Sequence, residues 1–265
     1  MATANSTLKR VTLELGDNSA SIICPDVDVK AVALQVAMGA FYNSGQVCIA
    51  AKRIFIHRDI YGEFLEALSE VIKSWKVGPA TSNEQIMLGP VQNRIQFHIV
   101  KGFFEDSKLN GHKFIVEGTL PDGENGYVIQ PAVLDRPLDD SKIGSHKLSN
   151  TFSLGPILPI LCWSDEDEVI GRVNNTSTGL GGAVWSADLK RAERLAYRIE
   201  AGTVWINHFE RPLPQGFFSG HKESGIGGEW GEHGLLSYMK AQCIHMYKSP
   251  VEPKSNSQGS KSIEG

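Results

Sequence analysis

The sequence predicts an α/β fold with a mostly parallel sheet flanked by helices. Short apolar runs alternate with segments of helical period along most of the chain, the order expected when strands are joined by crossover helices. The helical segments open on capping residues and close on Gly or Pro. No internal repeat competes with this reading. A chain of 265 residues can bury one large core or two modest ones, and 41% hydrophobic with 21% charged residues is ordinary for a globular protein.

Taken in order, residues 11–15 alternate apolar and polar and suit a strand. Ser21-Ile-Ile-Cys24 is a short apolar run closed by Pro25. Asp28 can cap a helix from 29 to about 43, with Val29, Val32, Val36 and Ala40 at helical spacing. Gly45 then breaks the pattern before Cys48. Arg53–His57 reads as a strand, and Asp59 as the cap of a helix whose inner face carries Ile60, Phe64, Leu68 and Ile72. Pro90 opens a third helix with Ile95, Ile99 and Phe103 inward and Gly111 as its stop. Strands are expected at Lys113–Val116, 127–134 and 156–163. Asp165 starts a helix to about Val173, 182–185 is a strand, and 188–201 is an amphipathic helix ended by Gly202. Thr203-Val-Trp-Ile-Asn207 carries a buried-strand signal. A short helix at 235–240 and a last strand at 242–247 complete the order.

Composition narrows the function. A net charge of −4 gives no support to a nucleic-acid or anionic-membrane surface. Cys24, Cys48, Cys162 and Cys243 form no Cys-x-x-Cys pair, and the eight histidines show no metal-ligand spacing. Widely spaced cysteines fit a reducing, cytoplasmic setting. The first ten residues lack the apolar core of a secretory signal, and no run approaches 18 apolar residues. From about Ser249 the chain is polar and Ser/Lys-rich, which predicts disorder.

Two short stretches carry candidate chemistry. Phe41-Tyr-Asn-Ser-Gly-Gln-Val-Cys48 places one cysteine at the end of a helical pattern, after a glycine that lets backbone approach. Val11-Thr-Leu-Glu-Leu-Gly16 carries one carboxylate, Glu14. A cysteine nucleophile needs access, a way to lose its proton and a neighbour that handles water; Cys48, near a helix end and beside Asn43 and Gln46, is placed for the first two. A carboxylate such as Glu14, if partly buried between Leu13 and Leu15, is expected to have a raised pKa and to act as a general base. On periodicity alone Cys48 reads equally as a small core residue, and Glu14 as a solvated strand carboxylate.

These words resemble the aldehyde dehydrogenase superfamily, which carries a Leu-Glu-Leu-Gly-Gly and a Phe-x-Asn-x-Gly-Gln-x-Cys signature. Further blocks follow in the expected order over nearly all of 11–247: Gly89-Pro90, Gly126-Tyr-Val-Ile-Gln-Pro131, Gly155-Pro156-Ile-Leu-Pro159, Asn174-x-Thr-x-x-Gly-Leu-Gly181, Gly202-Thr-Val-Trp-Ile-Asn207 and Ser219-Gly-His-Lys-Glu-Ser-Gly-Ile-Gly227. The resemblance implies an aldehyde-dehydrogenase-like catalytic domain and NAD or NADP as cofactor. It implies that Cys48 attacks an aldehyde to give a thiohemiacetal, and that Glu14 activates the water that later releases the acid. Gln96 matches a residue that touches the nicotinamide-side ribose. Phe209 and Phe218 match the aromatic wall of a substrate tunnel, with ordinary core packing as the alternative. The implied units are an N-terminal tail at 1–10, a remnant of the coenzyme-binding domain at 11–22, the catalytic domain at 23–220, a C-terminal helix and oligomerisation strand at 221–248, and a tail at 249–265.

The chain also departs from the pattern. The resemblance begins near the end of the family's coenzyme-binding domain, so its Pro-Trp-Asn block, adenosine-ribose lysine and glycine-rich turn have no counterpart. The second glycine of the family's Leu-Gly-Gly is Asp17, which adds bulk and charge near the reacting centre. The family's cofactor-holding glutamate falls at about Phe152. Gly225-Ile-Gly-Gly228 is a weak phosphate-loop signal, because no βαβ unit surrounds it. These departures count against binding of NAD or NADP. The expected partner is a small-molecule aldehyde, with a homo-oligomer or docking onto a full-length homologue as the assembly. The alternatives are cofactor-free acyl transfer or cyclisation, or a non-catalytic relative.

Overall fold

Ile22 and Ile23 are neighbours in the chain and belong to two different hydrophobic cores. That follows from strand geometry: successive side chains leave a sheet on opposite faces, so a strand covered on both sides must be apolar at every position. The computed structural model describes residues 2–79, 81–121, 126–138, 141–144, 154–209 and 211–247. In chain order the elements are α1 (Ala2–Asn5), β1 (Leu13–Glu14), β2 (Ala20–Ile23), α2 (Val29–Gly45), β3 (Arg53–His57), a 3-10 turn (Arg58–Ile60), α3 (Tyr61–Lys73), α4 (Arg94–Leu109), β4 (Lys113–Val116), β5 (Ala132–Asp135) and β6 (Ile157–Trp163). There follow α5 (Glu166–Asn174), β7 (Thr178–Gly179), β8 (Gly181–Trp185), α6 (Leu189–Ala196), β9 (Thr203–Ile206), β10 (Phe218–Ser219), β11 (His221–Lys222), β12 (Gly225–Ile226), β13 (Gly228–Glu229) and α7 (Gly231–Ser237).

The main sheet has seven strands in the order β4-β5-β6-β3-β2-β8-β9, all parallel except the β4–β5 pair. On one face Ile23, Ile54, Ile56 and Ile160 meet Ala33 and Val36 of α2 and Phe64, Leu68 and Ile72 of α3. On the other, Ile22, Phe55, Leu161 and Val184 meet Val169 and Val173 of α5 and Leu195 of α6. A third cluster joins α4 to β5 and the start of β6. The largely parallel α/β reading therefore holds. The expected unit boundary at 22/23 falls inside β2, whose four residues are all buried in this one sheet.

Several local expectations need correction. Asp59 does not cap α3; it sits in the 3-10 turn, where the His57 ring nitrogen accepts the Asp59 N–H at 3.3 Å, and α3 simply continues from that turn. The third helix is opened by Asn93, whose side chain accepts from the Gln96 N–H at 2.9 Å. Its inward stripe is Phe97, Val100, Phe103 and Phe104, while Ile95 is 75% exposed. Spacing of four drifts around a helix of 3.6 residues per turn, so Ile95 leaves the face that Phe103 occupies. The run at 127–134 forms a strand only from Ala132. The helix expected to 201 stops at Ala196, where the chain tightens into i→i+3 bonds (Arg198 N–H to Leu195 O, Ile199 N–H to Ala196 O). β9 is an edge strand and only Trp205 within it is buried.

At the C-terminal end, α7 starts at Gly231, earlier than expected, and 242–247 is exposed and forms no strand. Within 1–10, Arg10 is fixed: its guanidinium donates to the carbonyls of Leu236, Ser237 and Met239 at 2.8–3.3 Å, satisfying the end of α7. The expected tail from Ser249 and the position of Phe152 lie outside the described residues. Among the described residues no helix is long and apolar enough to cross a membrane.

Candidate active site

The cysteine is delivered by the end of α2. Asp28 caps that helix by accepting from the Ala31 N–H at 3.0 Å. Helical geometry stops at Tyr42, and Asn43, Ser44 and Gly45 follow with φ of +52°, +57° and +69°. Three left-handed residues in a row cost energy for two of them, so they persist only where the surroundings hold them. The Ser44 hydroxyl donates to Gly89 O at 2.7 Å, and Gln46 Oε1 accepts from the Gln92 N–H at 2.7 Å. Below the turn the buried Lys52 ammonium donates to Gly155 O at 3.0 Å. A Cβ on Gly45 would stand 2.6 Å from both that ammonium and that carbonyl, so the position requires glycine for space as well as for φ.

Glu14 arrives from a different element. β1 pairs antiparallel with β12, Leu13 opposite Ile226 and Glu14 opposite Gly225. Gly225 is needed there, because a side chain would run into the Leu13 carbonyl. Ser224 locks the same segment: its carbonyl accepts from the Leu15 N–H at 2.8 Å, and its hydroxyl donates to Gly16 O at 2.8 Å. Arg53 completes the clamp by donating to Asn18 O at 2.8 Å and Val173 O at 3.0 Å.

These supports bring the Glu14 carboxylate into the same cleft as the Cys48 thiol. Burial is the main reason the thiol is pushed up to about 12, and the Glu14 carboxylate adds to it both as an acceptor and as a charge. Backbone N–H groups of Cys48 and Ile49 act in the opposite direction and are outweighed. The thiol therefore rests protonated, with a carboxylate in the same cleft. Glu14 itself is exposed, contrary to the expected burial between Leu13 and Leu15.

Cys48 and Glu14 line one cleft of about 410 Å³, whose walls include Tyr42, Phe218, Glu229 and Trp230. The expected aromatic Phe218 is thus at the cleft, its ring 5.7 Å from that of Trp230. Phe209 is not: it is 7% exposed, packs on Trp205 at 5.5 Å and fills the space above Gly39 in the core. Asp17 also turns away from the cleft. It is 2% exposed, and its carboxylate accepts from the Ser19 hydroxyl and from the Gly181 N–H at 2.9 Å. Its carboxylate is held against the start of β8 and does not line the cleft.

Gln96 lies elsewhere. It donates to Leu154 O at 3.0 Å and lines a second, polar cavity of about 400 Å³ together with Asn43, Gln46, Gln92 and Asn93. Asn43 and Gln46 belong to the turn that leads to Cys48, so the two cavities flank the same loop.

Three cleft residues escape a reading by period: Tyr42, Glu229 and Trp230. Each sits where regular structure ends, and Trp230 has φ +63°, a genuine outlier for a bulky side chain. The local signal was a tryptophan and a glutamate between glycines in Gly227-Gly-Glu-Trp-Gly231, a place where a side chain is presented rather than packed.

Known proteins carry the same arrangement of sequence and fold. Residues 1–244 match the model of the aldehyde dehydrogenase family. Over 245 residues the chain is 37% identical to the mitochondrial aldehyde dehydrogenase of Homo sapiens, covering 92% of this chain and 46% of that protein. It is also 37% identical to the aldehyde dehydrogenase LUC3 of a Fusarium species, covering 91% of this chain and 50% of that protein. The crystal structure of an NAD-dependent aldehyde dehydrogenase from Sinorhizobium meliloti superposes with a TM-score of 0.84 at 28% identity, over 96% of this chain and 49% of that one. The chain spans about half the length of the curated relatives it matches. With almost every residue inside the match and the same fold reproduced, this chain belongs to the aldehyde dehydrogenase family.

Proposed function

We propose that the chain acts on an aldehyde as an aldehyde-dehydrogenase-like protein, with Cys48 as nucleophile and Glu14 as its base. The observation that carries this reading is the meeting of a desolvated thiol and a carboxylate in one cleft, delivered by elements separated in the chain. As Cys48 sulfur attacks the carbonyl carbon, its proton passes to Glu14. An S–C bond forms, the C=O π pair moves to oxygen, and the proton returns to that oxygen. The product is a thiohemiacetal, and no electrons leave the pair of reactants.

NAD or NADP supplies the hydride acceptor in the family reaction. The described residues offer that group a partial fit. The cavity at Gln96 presents amide side chains suited to a ribose. Gly225 and Gly228 form no phosphate loop, because they lie in paired two-residue strands against the Leu13 carbonyl and the Phe217 ring. No hydride step is assigned to this chain. Acyl transfer or ester hydrolysis at Cys48 is the second reading. It is favoured by the same partial fit, since it uses the thiol and the base without a hydride acceptor.

The test is labelling of the full chain with iodoacetamide, followed by mass spectrometry, with and without an aldehyde. Selective labelling of Cys48, slowed by the aldehyde and absent in Cys48→Ala, is expected. An inert Cys48, or labelling unaffected by every aldehyde tried, overturns the proposal. NADH formation from aldehyde and NAD, lost in Cys48→Ala, would show that a working cofactor site forms and would displace the acyl-transfer reading.

A further inference from the structure

Lysine is almost never fully buried, yet Lys52 is only 5% exposed. Its backbone is fixed from two sides: the Ala51 N–H donates to Gly39 O and the Lys52 N–H to Ser19 O, both at 2.9 Å. The side chain reaches beneath the left-handed turn that leads to Cys48, and its ammonium donates to Gly155 O at 3.0 Å. A Cβ on Gly45 would stand 2.6 Å from the ammonium, 2.6 Å from Gly155 O and 3.1 Å from Ala40 O. These three groups therefore surround one point under the turn.

Each of them belongs to a different part of the molecule. Ala40 lies in the last regular turn of α2, which stops at Tyr42. Gly45 closes the run of positive φ three residues before Cys48. Gly155 leads into β6, and the carbonyl of its neighbour Leu154 accepts from Gln96 of α4 at 3.0 Å. This segment is packed hard on α4, since a Cβ on Gly155 would stand 2.3 Å from Val100. The last carbonyls of a helix carry partial negative charge, and a lysine beside them is favourable. A buried ammonium is costly unless its protons are held. The cation and the carbonyls thus fix one another, and the turn between them has little freedom to relax. The chemistry proposed for Cys48 gives Lys52 no part.

We propose that Lys52 is a positioning residue for Cys48: its ammonium ties the end of α2 to the start of β6 and holds the turn that keeps the thiol in the cleft with Glu14. The assignment rests on the roles proposed for Cys48 and Glu14. Lys52 acts through the turn and touches no reacting atom. Without the cation the left-handed run relaxes, the thiol leaves its buried place, and its influence from Glu14 is lost with it.

The experiment follows iodoacetamide labelling of the full chain against pH by mass spectrometry, in the parent and in Lys52→Met, which keeps the apolar stem and removes the charge. The Cys48 profile should move down by roughly one pH unit, toward that of a free thiol. Cys162, half-buried near the far end of β6 from Gly155, is the internal reference and should not move. Lys52→Arg keeps a cationic donor and should retain the parent profile. Adding Glu14→Gln to Lys52→Met should shift Cys48 little further, because the two variants undo the same placement. A role in stability alone would leave Cys48 unmoved relative to Cys162. That result, a full additive shift from Glu14→Gln, or Lys52→Arg behaving as Lys52→Met overturns the proposal. If Lys52→Met does not fold, Lys52→Gln, which keeps a shorter neutral donor, is read by the same criteria. Failure of the aldehyde chemistry reads out separately, as a parent Cys48 that no aldehyde protects. A Cys48 that is unprotected but still follows Lys52 would remove that chemistry and leave the positioning role.

Discussion

The seven-stranded sheet and the C-terminal rim at 211–247 are built in opposite ways. The strands β2, β3 and β8 are buried at every position and are covered by helices on both faces. The rim consists of two-residue strands and a seven-residue helix, and leaves Leu213, Leu235, Leu236 and Met239 exposed. The sheet is held by apolar area removed from water. The rim is held by close backbone approach at glycines and by single hydrogen bonds such as those of Ser224 and Arg10. The cleft forms where the two meet: Cys48 comes from the sheet side, and Phe218, Glu229 and Trp230 from the rim. The tightly packed core thus positions Cys48, while the weaker region supplies the facing wall of the cleft.

The largest expected effect tests the core. Phe64 is fully buried between α3 and the sheet, and Phe64→Ala should lower the unfolding free energy by about 3–5 kcal/mol in denaturant titration. A loss below about 1 kcal/mol would mean that the sheet half is not the tightly packed region described. Next comes a buried charge at the sheet edge. Burial alone would raise the Asp135 carboxyl, but hydrogen bonds from Lys113, Tyr61 and Arg136 outweigh it and hold it below its ordinary value. The contribution is therefore complete above about pH 4 and declines as pH falls through the lowered folded value. Asp135→Ala should cost about 3 kcal/mol at neutral pH, because it leaves the buried Tyr61 hydroxyl only its longer bond to Ile160 O at 3.4 Å and removes the shared partner of two cations. The stability difference from the parent protein should shrink on acidification, and one that is flat with pH would sink this account.

Smaller effects belong to the site and the rim. Glu14→Gln removes a group that raises the Cys48 pKa, so the pH profile of iodoacetamide labelling should move to lower pH. Burial, the larger cause, remains, and the profile should stay above that of a free thiol near 8.5 or so. An unmoved profile would separate Glu14 from Cys48. Smallest of all, Leu236→Ser on the exposed side of α7 should change stability by no more than about 0.5 kcal/mol. A larger loss would show that the rim is packed more firmly than its exposure indicates.

Much of this was legible in the sequence. Apolar runs fixed β2, β3, β6 and β8, and the caps Asp28 and Asp165 fixed two helix starts. Cys48 and Glu14 were singled out by the words around them, and the structure brings them together. Asp59, Ile95 and the run at 242–247 misled, because a capping residue, an apolar residue or an alternating run states a local preference that neighbours can override.

The sequence by itself determined the α/β class, the largely parallel character of the sheet and the family, since these follow from period, caps and contiguous motifs. Only the tertiary structure decided that Asp17 faces β8, that Phe209 packs in the core, and that Glu229 and Trp230 reach the cleft. Those placements depend on contacts between residues far apart in the chain, such as Asp17 with Gly181 and Glu14 with Gly225. No local period records them, because the partner that orients each side chain is chosen by the folded chain and not by its neighbours in sequence.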